Sequence, residues 1–317
     1  MNSNLFVDLA HFAIYYGTPL FFAALGGVLA ERSGVLNLGV EGMMLMGAAC
    51  GAWAAINIGG PEWFVLICAV LFGMAGAGLT ALLHAFLTIT LRVNQTVSGL
   101  AITILAGSAG LSSFLANEWE LAKDPVPHKF NDLNLFGLAD APVVGPIFFH
   151  QNALVYLSWV AVIVSSFYLF RTKMGLNLRA VGESPQTADA MGINVVRYRY
   201  VHVVIGGALA GIGGVFYSVA IIPKWVDGVT SGAGWIAIAL VIFGFWRPDL
   251  TLLGAYLFGA FSVLSLRLQT RNVSIPLLEA LPYVMTIVVL VLVSTGLAKR
   301  RLGAPAALGI PYEREDR

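Results

Sequence analysis

Between Trp63 and Leu91 the chain runs for 29 residues without one Asp, Glu, Lys or Arg. At 1.5 Å per residue, about 20 apolar residues cross the hydrocarbon core of a bilayer as an α-helix. This run is long enough, and others like it recur along the 317 residues. Only 11% of the chain is charged against 58% hydrophobic, with a mean hydropathy of +0.82. A water-soluble domain of this length needs far more charge on its surface. The expected fold class is therefore all-α, a polytopic membrane helix bundle forming one transmembrane domain over 1–317. The lipid bilayer is its first partner. A net charge of +1 gives no sign of a nucleic-acid partner. Cys50 and Cys68 lie in apolar runs and imply neither a disulfide frame nor a metal site. The N-terminus has no basic flank and no small-residue cleavage site, so the first segment is expected to stay in place.

Apolar spans are expected near 10–30, 34–56, 63–91, 95–115, 153–171, 200–222, 233–247, 250–270 and 280–298. That gives nine helices, within a range of eight to ten. Two polar loops stand out. The first, 116–152, is acidic and proline-bearing. The second, 171–200, carries Arg171, Lys173, Arg179, Arg197 and Arg199. The positive-inside rule places the basic loop in the cytoplasm and, one span away, the acidic loop outside. Alternation then puts the N-terminus outside and the Lys299-Arg300-Arg301 tail inside. On this map 13 of the 18 Lys and Arg residues fall on the inner side. Small residues crowd Gly207–Gly214 and recur at Gly73 and Ala77, spacings that let helices approach closely or slide.

The stretch Glu31-Arg-Ser-Gly-Val-Leu-Asn-Leu-Gly-Val-Glu-Gly42 is unusual at the head of a membrane-grade segment. Gly34, Gly39 and Gly42 are poor helix formers. In a helix Asn37 and Glu41 share one face. Glu41 sits ten residues past Glu31, below the headgroups, where a carboxylate is costly and faces a bundle interior or an aqueous cavity. A parallel case begins at Thr230-Ser-Gly-Ala-Gly-Trp235, a segment short for a span and opened by two glycines. Its direction on the map is opposite. Glycine-broken segments in opposed halves are what an inverted-repeat transporter shows beside its substrate path. The halves here are roughly 30–115 and 200–298. Polar capping at the interface explains the same residues equally well. Gln95 and Ser98 open the span after Arg92 and reach a similar depth, or form an ordinary polar helix start. The candidate path is thus Asn37, Gly39, Glu41, Gly42, Gln95, Ser98 and Trp235. His84 and His202 stand alone in apolar runs without metal spacing, and backbone or a neighbour is expected to satisfy them.

Within the basic loop, residues 183–194 read as a short helix with explicit ends. Ser184 suits the N-cap, Pro185 the first helical position and Gly192 the C′ position. A body under two turns long needs a partner surface. Glu183, Ser184, Pro185, Gln186, Ala188, Asp189, Met191 and Gly192 form the candidate docking element.

At this point the chain resembles a known family. "ERSGVLNLGVEGMMLMGA", "RAVGESPQTADAMGINV" and "GAGWIAIALVIFGFWRPDLTLLGAYLFGA" are similar, in order and spacing, to the membrane permease subunits of bacterial ABC importers of the ribose, branched-chain amino acid and nucleoside group. The likeness covers about 30–295 and is closest to the nucleoside type. Ribose-type permeases carry Asp-Leu-Ser near the place of Asn37-Leu38-Gly39, which disfavours a sugar. The resemblance implies a coupling helix at Glu183–Asn194 and a broken, path-lining helix at Asn37–Gly42. It implies as partners an ABC ATPase subunit, a second permease subunit (identical or not) and an extracytoplasmic substrate-binding protein. It also implies a multi-pass location in the bacterial inner membrane. No Gly-x-x-x-x-Gly-Lys-Ser/Thr loop occurs, so the chain is not expected to be an enzyme or to hold a cofactor, ATP and Mg²⁺ belonging to the partner ATPase. Two alternatives stay open. One is a permease for a simple sugar or branched-chain amino acid. The other is a self-sufficient secondary transporter with Glu41 as its ion site.

Overall fold

The computed structural model describes residues 3–139, 141–268 and 303–314, with 284, 287, 288 and 291. The span expected at 280–298, those four positions apart, and the Lys299-Arg300-Arg301 tail lie outside the described residues. The described chain is helical almost throughout. Its α-helices are α1 (Ser3–Arg32), α2 (Val40–Asn57), α3 (Glu62–Ala85), α4 (Gln95–Ala106) and α5 (Leu111–Glu118). They are followed by α6 (Ala153–Arg171), α7 (Lys173–Glu183), α8 (Pro185–Ala190), α9 (Val195–Phe216), α10 (Ala233–Phe243) and α11 (Pro248–Leu268). Single π-helical turns extend α3 over Phe86–Thr90 and α9 over Tyr217–Ile221. Among the described residues, six helical stretches are long and apolar enough to cross a membrane.

α2 is the axis of the bundle. It is buried along most of its length and packs against α3, α4, α9 and α10. α1 lies along α9 and α11 on the other side of the core, where Leu25, Met43, Met44, Val203 and Leu240 meet. The small-residue faces are packing surfaces. Gly211 of α9 lies against Gly73 and Ala77 of α3 and against Gly47 of α2, and Gly214 lies against the backbone of Met44 and Ala48. These contacts leave no room for a β-carbon. A β-carbon on Gly214 would overlap the Met44 carbonyl oxygen with backbone on both sides. Gly214→Ala is therefore expected to cost about 1–3 kcal/mol, seen as a lower melting temperature of the detergent-solubilised protein.

Several expected spans are not simple helices. The segment 34–56 starts with non-helical chain over 33–39, so Asn37 precedes α2 instead of sharing a helical face with Glu41. The span at 95–115 breaks between α4 and α5, around Gly107–Gly110. The segment 233–247 is an 11-residue half-span, about 16 Å long at 1.5 Å per residue. The basic loop 171–200 holds the two helices α7 and α8. In the acidic loop, β1 (Asp132–Asn134) pairs antiparallel with β2 (His150–Asn152).

The ends of the bundle sort as the charges require. Residues 303–314 pack on the basic loop: the Ala307 N–H donates to the Gly182 carbonyl (2.9 Å), and Arg314 pairs with Asp189 at 3.3 Å. Arg32, Arg92 and Arg247 lie at this same end. At the other end, His11 of α1 bonds the Pro146 carbonyl (2.8 Å) and Trp53 of α2 meets Trp119.

Candidate translocation site

Chain that is not helical inside a membrane must find partners for its backbone groups. The lead-in 33–39 finds them in side chains. The Leu36 N–H donates to Gln95 Oε1 at 2.6 Å, and the Leu36 carbonyl faces His84 Nε2 at 3.1 Å. His84 Nδ1 lies 2.9 Å from Ser98 Oγ, so Nε2 carries the proton and Nδ1 accepts. Thr103 Oγ1 donates to the Leu38 carbonyl (2.9 Å). The Gly39 N–H donates to Asn37 Oδ1 (3.0 Å), a local turn that starts α2. Four residues expected near the path, Asn37, Gly39, Gln95 and Ser98, therefore work on the lead-in. Gly39 and Gly42 let α4 pass close: a β-carbon on Gly42 would lie 2.8 Å from the Ile102 carbonyl oxygen.

Glu41 has a different position. Its Oε1 accepts from Thr230 Oγ1 at 2.6 Å and from the Gly232 N–H at 3.0 Å, and its Oε2 accepts from the Gly234 N–H at 2.6 Å. Thr230 and Gly232 lie just before α10, and Gly234 is in its first turn. Ser231 and Gly232, at φ 48° and 82°, make a left-handed turn into the helix that aims N–H groups at the carboxylate. A helix N-terminus with unpaired N–H groups is a natural seat for an anion. Gly234 has no space for a side chain, since a β-carbon would lie 2.5 Å from Glu41 N and Cα. α2 and the half-span α10 thus run in opposite directions and meet at their N-termini.

The meeting point is deep. It faces Thr103 and Gly107, eight and twelve residues beyond Gln95, which is about 12–18 Å along the span. A cavity of about 330 Å³ opens beside it, lined by Glu41, Leu45, Thr103, Ser108, Ser231 and Trp235 among others. Trp235 is 39% exposed there, and Glu41 only 7%. Of the seven candidate path residues, the structure brings Glu41 and Trp235 to the cavity. Thr103 and Ser108 were not singled out by sequence, and Thr230, Ser231, Gly232 and Gly234 stood out only as a glycine-broken segment, not as partners of Glu41. The double glycine before Trp235 was the available signal for the donors. A lone threonine in an apolar run gives almost none.

Glu31 and Arg32 hold the other end of α10. Trp246 Nε1 donates to Glu31 Oε2 (2.6 Å), and Arg32 Nε donates to the Trp246 carbonyl (3.0 Å). Phe245 and Trp246 sit at φ 51° and 53°, conformations that cost L-residues energy. The single stretch 31–41 therefore grips α10 at both ends.

In the basic loop, α8 ends as its sequence requires. Gly192 is left-handed at φ 83°, and the Ile193 N–H donates to the Ala188 carbonyl (3.0 Å), closing the C-terminal turn. The start differs in detail. Ser184 stands at the N-cap, but its hydroxyl bonds Thr187 Oγ1 (2.7 Å) instead of a backbone N–H. Ala188 and Pro185 are buried, Ala188 against Val181 and Val195, so neither belongs to an exposed face. Asp189 is turned to Arg314, and Glu183 Oε2 accepts from the Ala306 N–H at 3.3 Å. Gln186, Thr187, Ala190, Met191 and Gly192 are exposed, as is Glu183, with Met191 78% exposed.

Residues 9–294 match the family described as branched-chain amino acid transport system / permease component. A Haloferax volcanii protein provisionally named as the glucose ABC transporter permease TsgC13 is 39% identical, over 97% of this chain and 98% of its own. The guanosine ABC transporter permease NupQ of Bacillus subtilis is 38% identical over 94% of each chain. A solved inward-facing ABC transporter, provisionally of metal-chelate type, shares the fold with a TM-score of 0.50 at 16% identity, over 89% of this chain and 84% of that one. The chain belongs to the branched-chain amino acid transport system / permease component family, and is a multi-pass inner-membrane translocation subunit of an ABC transporter.

Proposed function

We propose that this chain forms the translocation path for a nucleoside or a related small polar solute in an ATP-driven importer, with the Glu41–α10 junction as its gate. The observation that carries the reading is the cavity beside that junction, where α2 and α10 meet at mid-depth. About 330 Å³ is within the range of small-ligand sites. Its wall pairs a flat indole, Trp235, with the hydroxyls of Thr103, Ser108 and Ser231, which suits a flat base joined to a hydroxylated ribose. The guanosine permease of Bacillus subtilis supports the same class.

The Haloferax volcanii relative favours a second reading, a monosaccharide. Stacking of a base on an aromatic ring is worth about 1–3 kcal/mol, so Trp235→Ala is expected to raise the KM for guanosine uptake about tenfold. Uptake of labelled guanosine and glucose by cells with and without the gene decides the substrate. Glucose uptake that depends on the gene, with guanosine uptake unchanged, contradicts the nucleoside reading.

In this reading the basic loop and the 303–314 segment face the cytoplasm, and Gln186, Thr187, Ala190 and Met191 seat in a cleft of a separate ATPase subunit. A second permease subunit, identical or not, completes the path, and a substrate-binding protein delivers the solute from outside. ATP and Mg²⁺ bind on the ATPase.

A further inference from the structure

The docking loop and the lead-in to α2 are joined by contacts that the path itself does not need. Arg199 stands in the first turns of α9, a few residues after α8. It is 1% exposed, among the largest fully buried side chains of the protein. Its Nε donates to the Ser33 carbonyl (3.2 Å) and its Nη1 to the Ile310 carbonyl (3.3 Å). Its guanidinium lies 6.0 Å from the ring centroid of Tyr312. Nη2 is buried without a partner among the described residues and faces Gly34, where a β-carbon would sit 3.0 Å away. Burying a guanidinium is costly. Here its hydrogen bonds satisfy carbonyls of two non-helical segments far apart in sequence, and so join them.

Residues 303–314 lie across the same end and touch α7, the lead-in, the turn between α3 and α4, and α8 in turn. Ala307 N–H bonds Gly182 at the end of α7, and Gly309 N–H donates to the Gly34 carbonyl (3.3 Å). Glu313 pairs with Arg92 between α3 and α4 (2.9 Å), and Arg314 pairs with Asp189 of α8.

We propose that Arg199, together with residues 303–314, is the tie that carries movement of the docking loop to the lead-in 33–39 and so to Glu41. Arg199 is a positioning residue for translocation, not part of the path. The chemistry suits the task. A guanidinium is a rigid fork that holds two carbonyls at once, which a lysine ammonium on a flexible stem does not. Non-helical chain is the compliant part of the bundle, and hydrogen bonds to its backbone are what can pull it. The inference rests on the reading of 184–194 as the ATPase-docking loop.

Hydrogen–deuterium exchange tests it without knowledge of the transported solute. The wild-type permease in complex with its ATPase is compared with and without a non-hydrolysable ATP analogue. Arg199→Lys and a chain ending at Leu302 are treated alike. In the wild type, the nucleotide is expected to change exchange in both 184–194 and 33–39. In the variants, the response of 184–194 stays, and that of 33–39 falls by about tenfold, the size of a typical coupling between sites. If Arg199→Lys does not assemble, the shortened chain, which keeps Arg199, decides. A full response of 33–39 in the assembled variants overturns the tie. Wild-type protein whose 184–194 loop ignores both ATPase and nucleotide contradicts the docking reading, and the tie falls with it.

Discussion

Glu41→Ala is expected to reduce transport by more than tenfold while the protein still inserts and assembles. The change leaves the Thr230 hydroxyl and the Gly232 and Gly234 N–H groups facing a void in place of a carboxylate. Each buried donor left unmade costs about 1–3 kcal/mol. The start of α10 would loosen from α2, and the two helices would no longer move as one. Glu41→Gln keeps an oxygen for Thr230 and Gly232 but turns an NH₂ toward the Gly234 N–H, so one of three bonds is lost. Its uptake should fall between wild type and Glu41→Ala. Uptake rates normalised to membrane content measure this, and wild-type rates in both variants would remove Glu41 from the gate. If neither variant inserts stably, Glu41 is a structural anchor only.

The second large effect separates two residues of one short helix. Met191→Arg changes an exposed side chain, so the cost to the fold should stay within about 0.5 kcal/mol. At a docking face it is expected to cost about 2 kcal/mol or more of binding, roughly a thirtyfold loss of ATPase retention. Ala188→Arg forces a charge between Val181 and Val195. That breaks the loop's own packing, since an unpaired buried charge is expensive. Both variants should lose the ATPase on co-purification, but only Ala188→Arg should become sensitive to proteolysis within 184–194. Full ATPase retention by Met191→Arg would show that this face is not the docking surface.

The long apolar runs announced their helices because length and the absence of charge leave few other solutions. The breaks were legible where glycines cluster beside a polar residue, at Gly34–Gly42 and at Gly232–Gly234. The break at Gly107–Gly110 lay inside an apolar run and gave no contrast. Asn37 and Glu41 are four apart, but the face they would share does not exist, since the helix begins only at Val40. Depth was readable from distance to the nearest charge, whereas direction was not. Gln95 and Ser98 reach inward yet turn to the lead-in and His84, because unpaired backbone in hydrocarbon has first claim on nearby side chains. The same limit applied to Ala188. Position within a six-residue helix says nothing of which side the rest of the chain covers, and Val181 and Val195 cover that one.

In the proposed mechanism α2 and α10, which meet at Glu41, open and close a path powered by a separate ATPase. Uptake of labelled guanosine into proteoliposomes tests it most directly. One set holds this chain alone under a proton or sodium gradient. The other holds the complex of this chain, its partner permease subunit and the ATPase, with binding protein outside and ATP enclosed. Uptake is expected in the second set only, lost when ATP is omitted and strongly reduced by Glu41→Ala. Gradient-driven uptake by this chain alone, without ATP or partners, would contradict it.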